Sequence, residues 1–85
     1  MGTLLIIDDS ESIREELVQI LTADGDFDIF LQAADGAMGL KILSDPEQAV
    51  DVVCCDLNMP RMDGYQFLRL ARANTGLMNI PIIMV

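Results

Sequence analysis

Two short apolar runs in this chain end in acid. Leu4-Leu5-Ile6-Ile7 leads into Asp8-Asp9, and Val52-Val53-Cys54-Cys55 leads into Asp56. Strands that are apolar at successive positions are buried on both faces, so each run sets carboxylates at the tip of a buried strand. Carboxylates gathered at one sheet edge repel one another, and at least one is expected to hold its proton unless a cation intervenes. Mg²⁺ suits such a set, because it prefers oxygen, keeps several waters and takes one or two carboxylates plus a phosphate; Mn²⁺ offers similar hard-ion chemistry. A carboxylate beside such an ion can itself attack phosphorus and form an acyl phosphate. The segment Leu57-Asn58-Met59-Pro60-Arg61-Met62-Asp63-Gly64 after Asp56 fits this use. Pro60 and Gly64 set an unusual backbone path, and a main-chain carbonyl near Asn58 is a further hard oxygen ligand.

Each feature also has a plainer reading. Asp8 and Asp9 ahead of a helix can serve its cap and dipole, Asp56 can simply open a loop, and Asp63-Gly64 can be a turn or helix start. Met59 and Met62 read as loop packing. The joint occurrence of an acid pair after the first strand and an acid with Pro and Gly after the third is what points to a site.

The elements that must position these residues alternate short apolar runs with longer amphipathic segments, the pattern of parallel βαβ units. A first strand is expected over residues 3–7. A helix follows over 10–23, with Ile13, Leu17, Ile20 and Leu21 on its inward face and Arg14, Glu15 and Gln19 pointing outward. Ser10 is one candidate cap, and Ser12-Ile13-Arg14-Glu15 fits a capping box. Asp24-Gly25-Asp26 breaks the chain before a half-buried edge strand over 27–32. Asp35 caps a helix over 36–43 that turns Leu40 and Leu43 inward, and 44–47 form a turn or a short helical start with Pro46 in its first turn. The third strand spans 51–56. A helix over 65–73 buries Phe67, Leu68 and Ala71, with Asn74 and Gly76 as stop signals. A fourth strand spans 80–85, where Pro81 is tolerable near the start. Right-handed crossovers put the loops after Ile7 and Cys55 on one edge, so Asp8, Asp9 and Asp56 converge if the first and third strands are neighbours.

Composition bounds the rest. Eighty-five residues make one small domain. The chain is 52% apolar, yet no apolar run approaches the ~20 residues of a membrane span, and no signal-peptide pattern is present. Fourteen acids against five bases, a formal charge of −9, leave no basic patch for nucleic acid. Cys54 and Cys55 point to opposite faces of their strand and read as reduced, buried thiols, which fits a cytoplasmic location. With no His in the chain, a zinc site is disfavoured.

At Ile6-Ile7-Asp8-Asp9-Ser10 and over Asp56 to Gly64 the chain resembles the receiver domain of two-component response regulators. Ala34-Asp35-Gly36 and Ile80-Pro81-Ile82-Ile83-Met84-Val85 are similar to that family less specifically. The resemblance covers essentially all 85 residues and implies an α/β, flavodoxin-like parallel sheet of strand order 2-1-3-4, with a fifth strand and two further helices expected in a whole receiver. It implies that Asp56 is the phosphoacceptor and Asp9 the principal Mg²⁺ ligand, that Asp8 assists through water, and that the Asn58 main-chain carbonyl completes the metal site. The implied partner is a sensor histidine kinase or phosphotransfer protein, with an output domain beyond residue 85.

The family also carries a lysine and a switch Ser or Thr that touch the phosphate. Neither is expected here: Lys41, the one lysine, falls on the second helix, and Thr75 precedes the fourth strand. The 85 residues are therefore expected to be part of a longer receiver, or to be completed by a second chain through edge pairing or swapping at the fourth strand. Two alternatives stand beside this reading. One is an aspartate-nucleophile, Mg²⁺-dependent phosphatase of the haloacid-dehalogenase type, although that family sets its two acids two residues apart after the first strand. The other is a receiver-like interaction module that is never phosphorylated.

Overall fold

The computed structural model of the chain describes residues 2–59, 62–77 and 79–85. Four parallel strands form one sheet in the order β2-β1-β3-β4, made of β1 (Thr3–Ile7), β2 (Ile29–Ala33), β3 (Val52–Cys55) and β4 (Ile82–Met84). The connecting helices are α1 (Glu11–Asp24), α2 (Gly36–Ser44) and α3 (Gly64–Ala73). The flavodoxin-like order read from the sequence is the one observed. The chain leaves β1 toward β2 on one side, then returns past β1 to β3 on the other. Successive connections thus diverge between β1 and β3, and a crevice opens beyond their carboxyl ends, where ligands of open α/β sheets bind.

β1 is buried at every position, as a central parallel strand must be. The main core lies on one face of the sheet. There Leu5, Ile7, Val53 and Cys55 meet Leu43 of α2 and Phe67 and Ala71 of α3. Leu43, Phe67 and Ala71 face inward as their spacing predicts, and Leu40 and Leu68 are half-buried. The contact of α2 with the sheet is close: a Cβ on Gly39 would overlap the Ile7 side chain.

Helix boundaries follow their caps. Ser10, not Ser12, caps α1 and accepts from the Ile13 N–H at 3.3 Å. Gly25 closes it at φ 78°, a left-handed conformation that costs a Cβ-free residue nothing. Asp35 caps α2, accepting from Met38 N–H at 2.8 Å, and Asp63 caps α3, accepting from Gln66 N–H at 2.9 Å.

Three expectations need correction. The edge strand β2 is shifted to Ile29–Ala33, leaving Phe27 outside it with its ring edge-on to Phe30 at 6.4 Å. A 3₁₀ turn over Thr75–Leu77 follows α3, held by an Asn74 side chain that accepts from Gly76 N–H at 3.0 Å. The larger correction concerns α1. No residue of it is buried, and Ile13 and Ile20 are 47% and 55% exposed. Its spacing identified an apolar stripe correctly, but only Leu17 and Leu21 are half-covered. Among the described residues, α2 and α3 pack together on the opposite face, so α1 has the sheet alone to lie against.

Candidate functional site

The register of the sheet builds the acidic cluster. Ile7 pairs with Cys55 across β1 and β3, so the next residues on the two strands, Asp8 and Asp56, leave the sheet side by side. Asp56 N–H donates to Ile7 O at 2.9 Å, and Asp8 N–H donates to Ala33 O at 3.0 Å. These bonds extend the ladders on both sides of β1 and fix the backbone under both acids. Asp9 is the next residue along, exposed at the mouth of the crevice. One ligand oxygen from each of Asp8, Asp9 and Asp56 lies within 4.8 Å of the others. The three aspartates singled out in the sequence are therefore brought together.

The surrounding bonds orient two of the three carboxylates. Asp8 Oδ1 accepts from Ser10 N–H at 2.9 Å, and Asp56 Oδ1 accepts from Asn58 N–H at 3.2 Å. Burial pushes the Asp8 carboxyl above its ordinary range, with Asp56 and Asp9 adding to the shift and the Ser10 N–H opposing it. Desolvation and neighbouring like charge both disfavour the ionised form. A compact set of hard carboxylate oxygens with excess negative charge fits a divalent cation such as Mg²⁺ or Mn²⁺.

The segment after Asp56 is shaped by close approach. Gly64 N–H donates to Leu57 O at 3.1 Å, and a Cβ on Gly64 would lie 2.7 Å from Asp56 O and 2.9 Å from Leu57 Cα. Gly64 therefore lets the first turn of α3 rest directly on the backbone of the acid it follows. Met59 is buried beneath the loop and Met62 packs over Gly36. Asn58 is exposed next to Asp56. Pro60, expected to shape this loop, lies outside the described residues.

Sequence reasoning missed one participant. Arg14, expected to point outward from α1, is half-buried and turns back to the cluster. Its Nη1 donates to Asp8 O at 2.6 Å and its Nε to Gln32 Oε1 at 3.0 Å. The signal available was its place one turn into the helix that follows the acid pair, within reach of that pair's backbone. Lys41 is exposed on the last turn of α2, the helix end far from the Asp35 cap.

A family model for the response regulator receiver domain matches residues 4–85. The chain belongs to that family. This receiver is 42% identical over 81 residues to protein-glutamate methylesterase/protein-glutamine glutaminase 3 of Rhodopseudomonas palustris, covering 95% of the chain and 21% of that protein. A second relative, protein-glutamate methylesterase/protein-glutamine glutaminase 2 of Rhizobium johnstonii, is also 42% identical over the same length. The chain spans about a fifth of the length of these relatives. Among solved structures, Vibrio cholerae chemotaxis protein CheY4 superposes with a TM-score of 0.81 at 34% identity, over 99% of this chain and 67% of that one. The signal receiver domain of a Syntrophus aciditrophicus signal transduction histidine kinase gives 0.88 at 29%, over 100% and 61%. The receiver is a regulatory fold of two-component signalling, and no helix among the described residues is long and apolar enough to cross a membrane.

Proposed function

We propose that this receiver accepts a phosphoryl group on Asp56, from a phosphohistidine of a sensor kinase or phosphotransfer protein or from a small acyl phosphate. The observation that carries the proposal is the convergence of Asp8, Asp9 and Asp56 within 4.8 Å at the carboxyl edge of β1 and β3. In the reaction an Asp56 carboxylate oxygen attacks phosphorus, the bond from phosphorus to the donor atom breaks, and the donor leaves with that electron pair. The product is an aspartyl phosphate, and attack by water at phosphorus later returns the carboxylate and inorganic phosphate.

The residues have distinct roles in this reading. Asp56 holds the nucleophilic oxygen, and the Asn58 N–H on Oδ1 fixes the rotation of its carboxylate. Asp9 and Asp8 hold the cation, with Asp8 acting through water and the Asn58 carbonyl completing the set. Mg²⁺, when bound, supplies positive charge that offsets that of nucleophile and phosphoryl group. Gly64 keeps the Asp56 backbone accessible to α3. Residues 1–85 act in this reading as the acceptor part of a receiver, in the cytoplasm, where the free thiols of Cys54 and Cys55 persist. Phosphorylation then biases an output that a further domain reads. The relatives named above suggest a protein-modifying enzyme as one such output.

Incubation with acetyl phosphate tests the reading. One phosphoryl group per chain is expected by intact mass with Mg²⁺ and none with chelator, and Asp56→Asn is expected to abolish incorporation. Full incorporation into that variant overturns the assignment. Sustained turnover of a phosphate ester would instead favour a haloacid-dehalogenase-type phosphatase.

A further inference from the structure

The peptide joining Asp8 to Asp9 is held from outside the strand ladder. β2 ends at Ala33, whose carbonyl takes the Asp8 N–H. Beyond it the chain bends at residues 34 and 35 toward α2. Arg14 Nη1 donates to Asp8 O from α1 at 2.6 Å. Its Nε simultaneously donates to Gln32 Oε1 at 3.0 Å, so one planar fork spans α1, the exit of β1 and the side chain of β2. Gln32 pairs with Ile6 in the β1–β2 register, which puts it on the α1 face and within reach of that fork.

The Asp8–Asp9 peptide unit links two of the three clustered carboxylates. Rotating it changes ψ of Asp8 and φ of Asp9 together, and swings the two side chains relative to Asp56. The peptide before it is held by the Asp8 N–H to Ala33 O, and the unit itself is held at its carbonyl by Arg14. We infer that Arg14 is a positioning residue: by pinning this peptide it sets how Asp8 and Asp9 present their oxygens to a divalent cation, with Gln32 holding the guanidinium in place. The inference rests on the cation-binding reading above and names a determinant of that site outside its ligands.

The sign of the effect separates positioning from simple charge. Arg14 is a cation close to a cluster that attracts cations, so on electrostatic grounds alone its removal should tighten Mg²⁺ binding. If it positions ligands, removal loosens binding, and outer-shell partners of metal ligands are typically worth about 10-fold to 100-fold in affinity.

Calorimetric Mg²⁺ titration of the purified protein and of Arg14→Gln, Arg14→Lys and Gln32→Ala makes the test. Arg14→Gln is expected to lose about 10-fold in affinity at unchanged stoichiometry, since partial unfolding would lower the number of sites rather than their affinity. Arg14→Lys, a point donor that cannot hold both acceptors as a fork, and Gln32→Ala are expected to fall between it and the parent. Affinity that is unchanged or tighter in Arg14→Gln overturns the inference. Should that variant not fold, unchanged affinity in both Arg14→Lys and Gln32→Ala overturns it. Failure of the parent protein to bind Mg²⁺ at millimolar concentration would instead remove the cation-binding reading, and the inference with it.

Discussion

At the residue scale the site is defined by charge that the fold does not neutralise. Burial first, and then Asp56 and Asp9, raise the Asp8 carboxyl above its ordinary value of 3.8. A carboxyl whose folded pKa is raised holds its proton more tightly folded than unfolded. Without a divalent cation, its contribution to stability therefore declines as pH rises from that ordinary value through the raised folded one. Asp8→Asn removes the repulsion but keeps an oxygen able to accept from Ser10 N–H. Thermal melts across the acid-to-neutral range, in chelator, should show the variant more stable than the parent at neutral pH and the difference vanishing in acid. A lower melting temperature at neutral pH would mean that the Asp8 carboxylate is stabilising. Asp8, Asp9 and Asp56 were legible in the sequence because the pair Asp8-Asp9 and the single Asp56 each directly follow an apolar run, and strand ends locate themselves. Arg14 was not. A helical repeat gives the direction of a Cβ but not the reach of a long side chain, whose charged end can fold back along the helix.

At the element scale the site depends on how closely α3 approaches the end of β3. A Cβ on Gly64 would run into Asp56 O and Leu57 Cα, backbone atoms that cannot swing away. Gly64→Ala is accordingly expected to cost about 1–3 kcal/mol in urea unfolding, the usual range for overpacking. A change below a few tenths of a kcal/mol would show that the first turn of α3 can lift without loss. The position of this helix could be read in advance, since Asp63 is a favourable cap and Phe67 and Ala71 lie one turn apart on one face. The start of β2 was less legible. Phe27, Ile29 and Leu31 alternate from residue 27, so periodicity alone extends the strand back over a stretch that instead leads into it. The pairing of Thr3 with Ile29 decides where the ladder begins, and that is long-range information. The 3₁₀ turn at Thr75–Leu77 is likewise held by an Asn74 side chain whose role in the sequence was only that of a stop signal.

At the scale of the whole molecule the two faces of the sheet are unequal. One face carries the closed core under α2 and α3. The other carries α1 alone among the described residues, and leaves Ile13, Ile20, Ile83 and Val85 between 47% and 69% exposed. The thiols divide the same way. Cys55 is on the closed face, where burial first and then Asp56 push it up to about 12. Cys54 is on the open face, half-buried and raised above its ordinary range by burial and by Asp8 and Asp56. The native protein is therefore expected to bind a dye that reports apolar surface, such as anilinonaphthalene sulfonate. Ile20→Lys and Ile83→Lys together should reduce its fluorescence while leaving the circular dichroism unchanged. Dye binding that is absent in the parent would contradict an open face. The chain order and sheet topology were legible from the alternation of apolar runs and amphipathic segments. The asymmetry was not, because the α1 stripe reads as inward-facing whether or not anything covers it.

The central claim is that Asp56 is the phosphoacceptor of this receiver, and chemical localisation of the phosphoryl group tests it most directly. After exposure to acetyl phosphate and Mg²⁺, borohydride reduction converts an aspartyl phosphate to homoserine, which peptide mass spectrometry places in the sequence. The account predicts homoserine at position 56 and at no other aspartate. Homoserine at Asp8, Asp9 or Asp63 with Asp56 unmodified, or its absence everywhere, would contradict it.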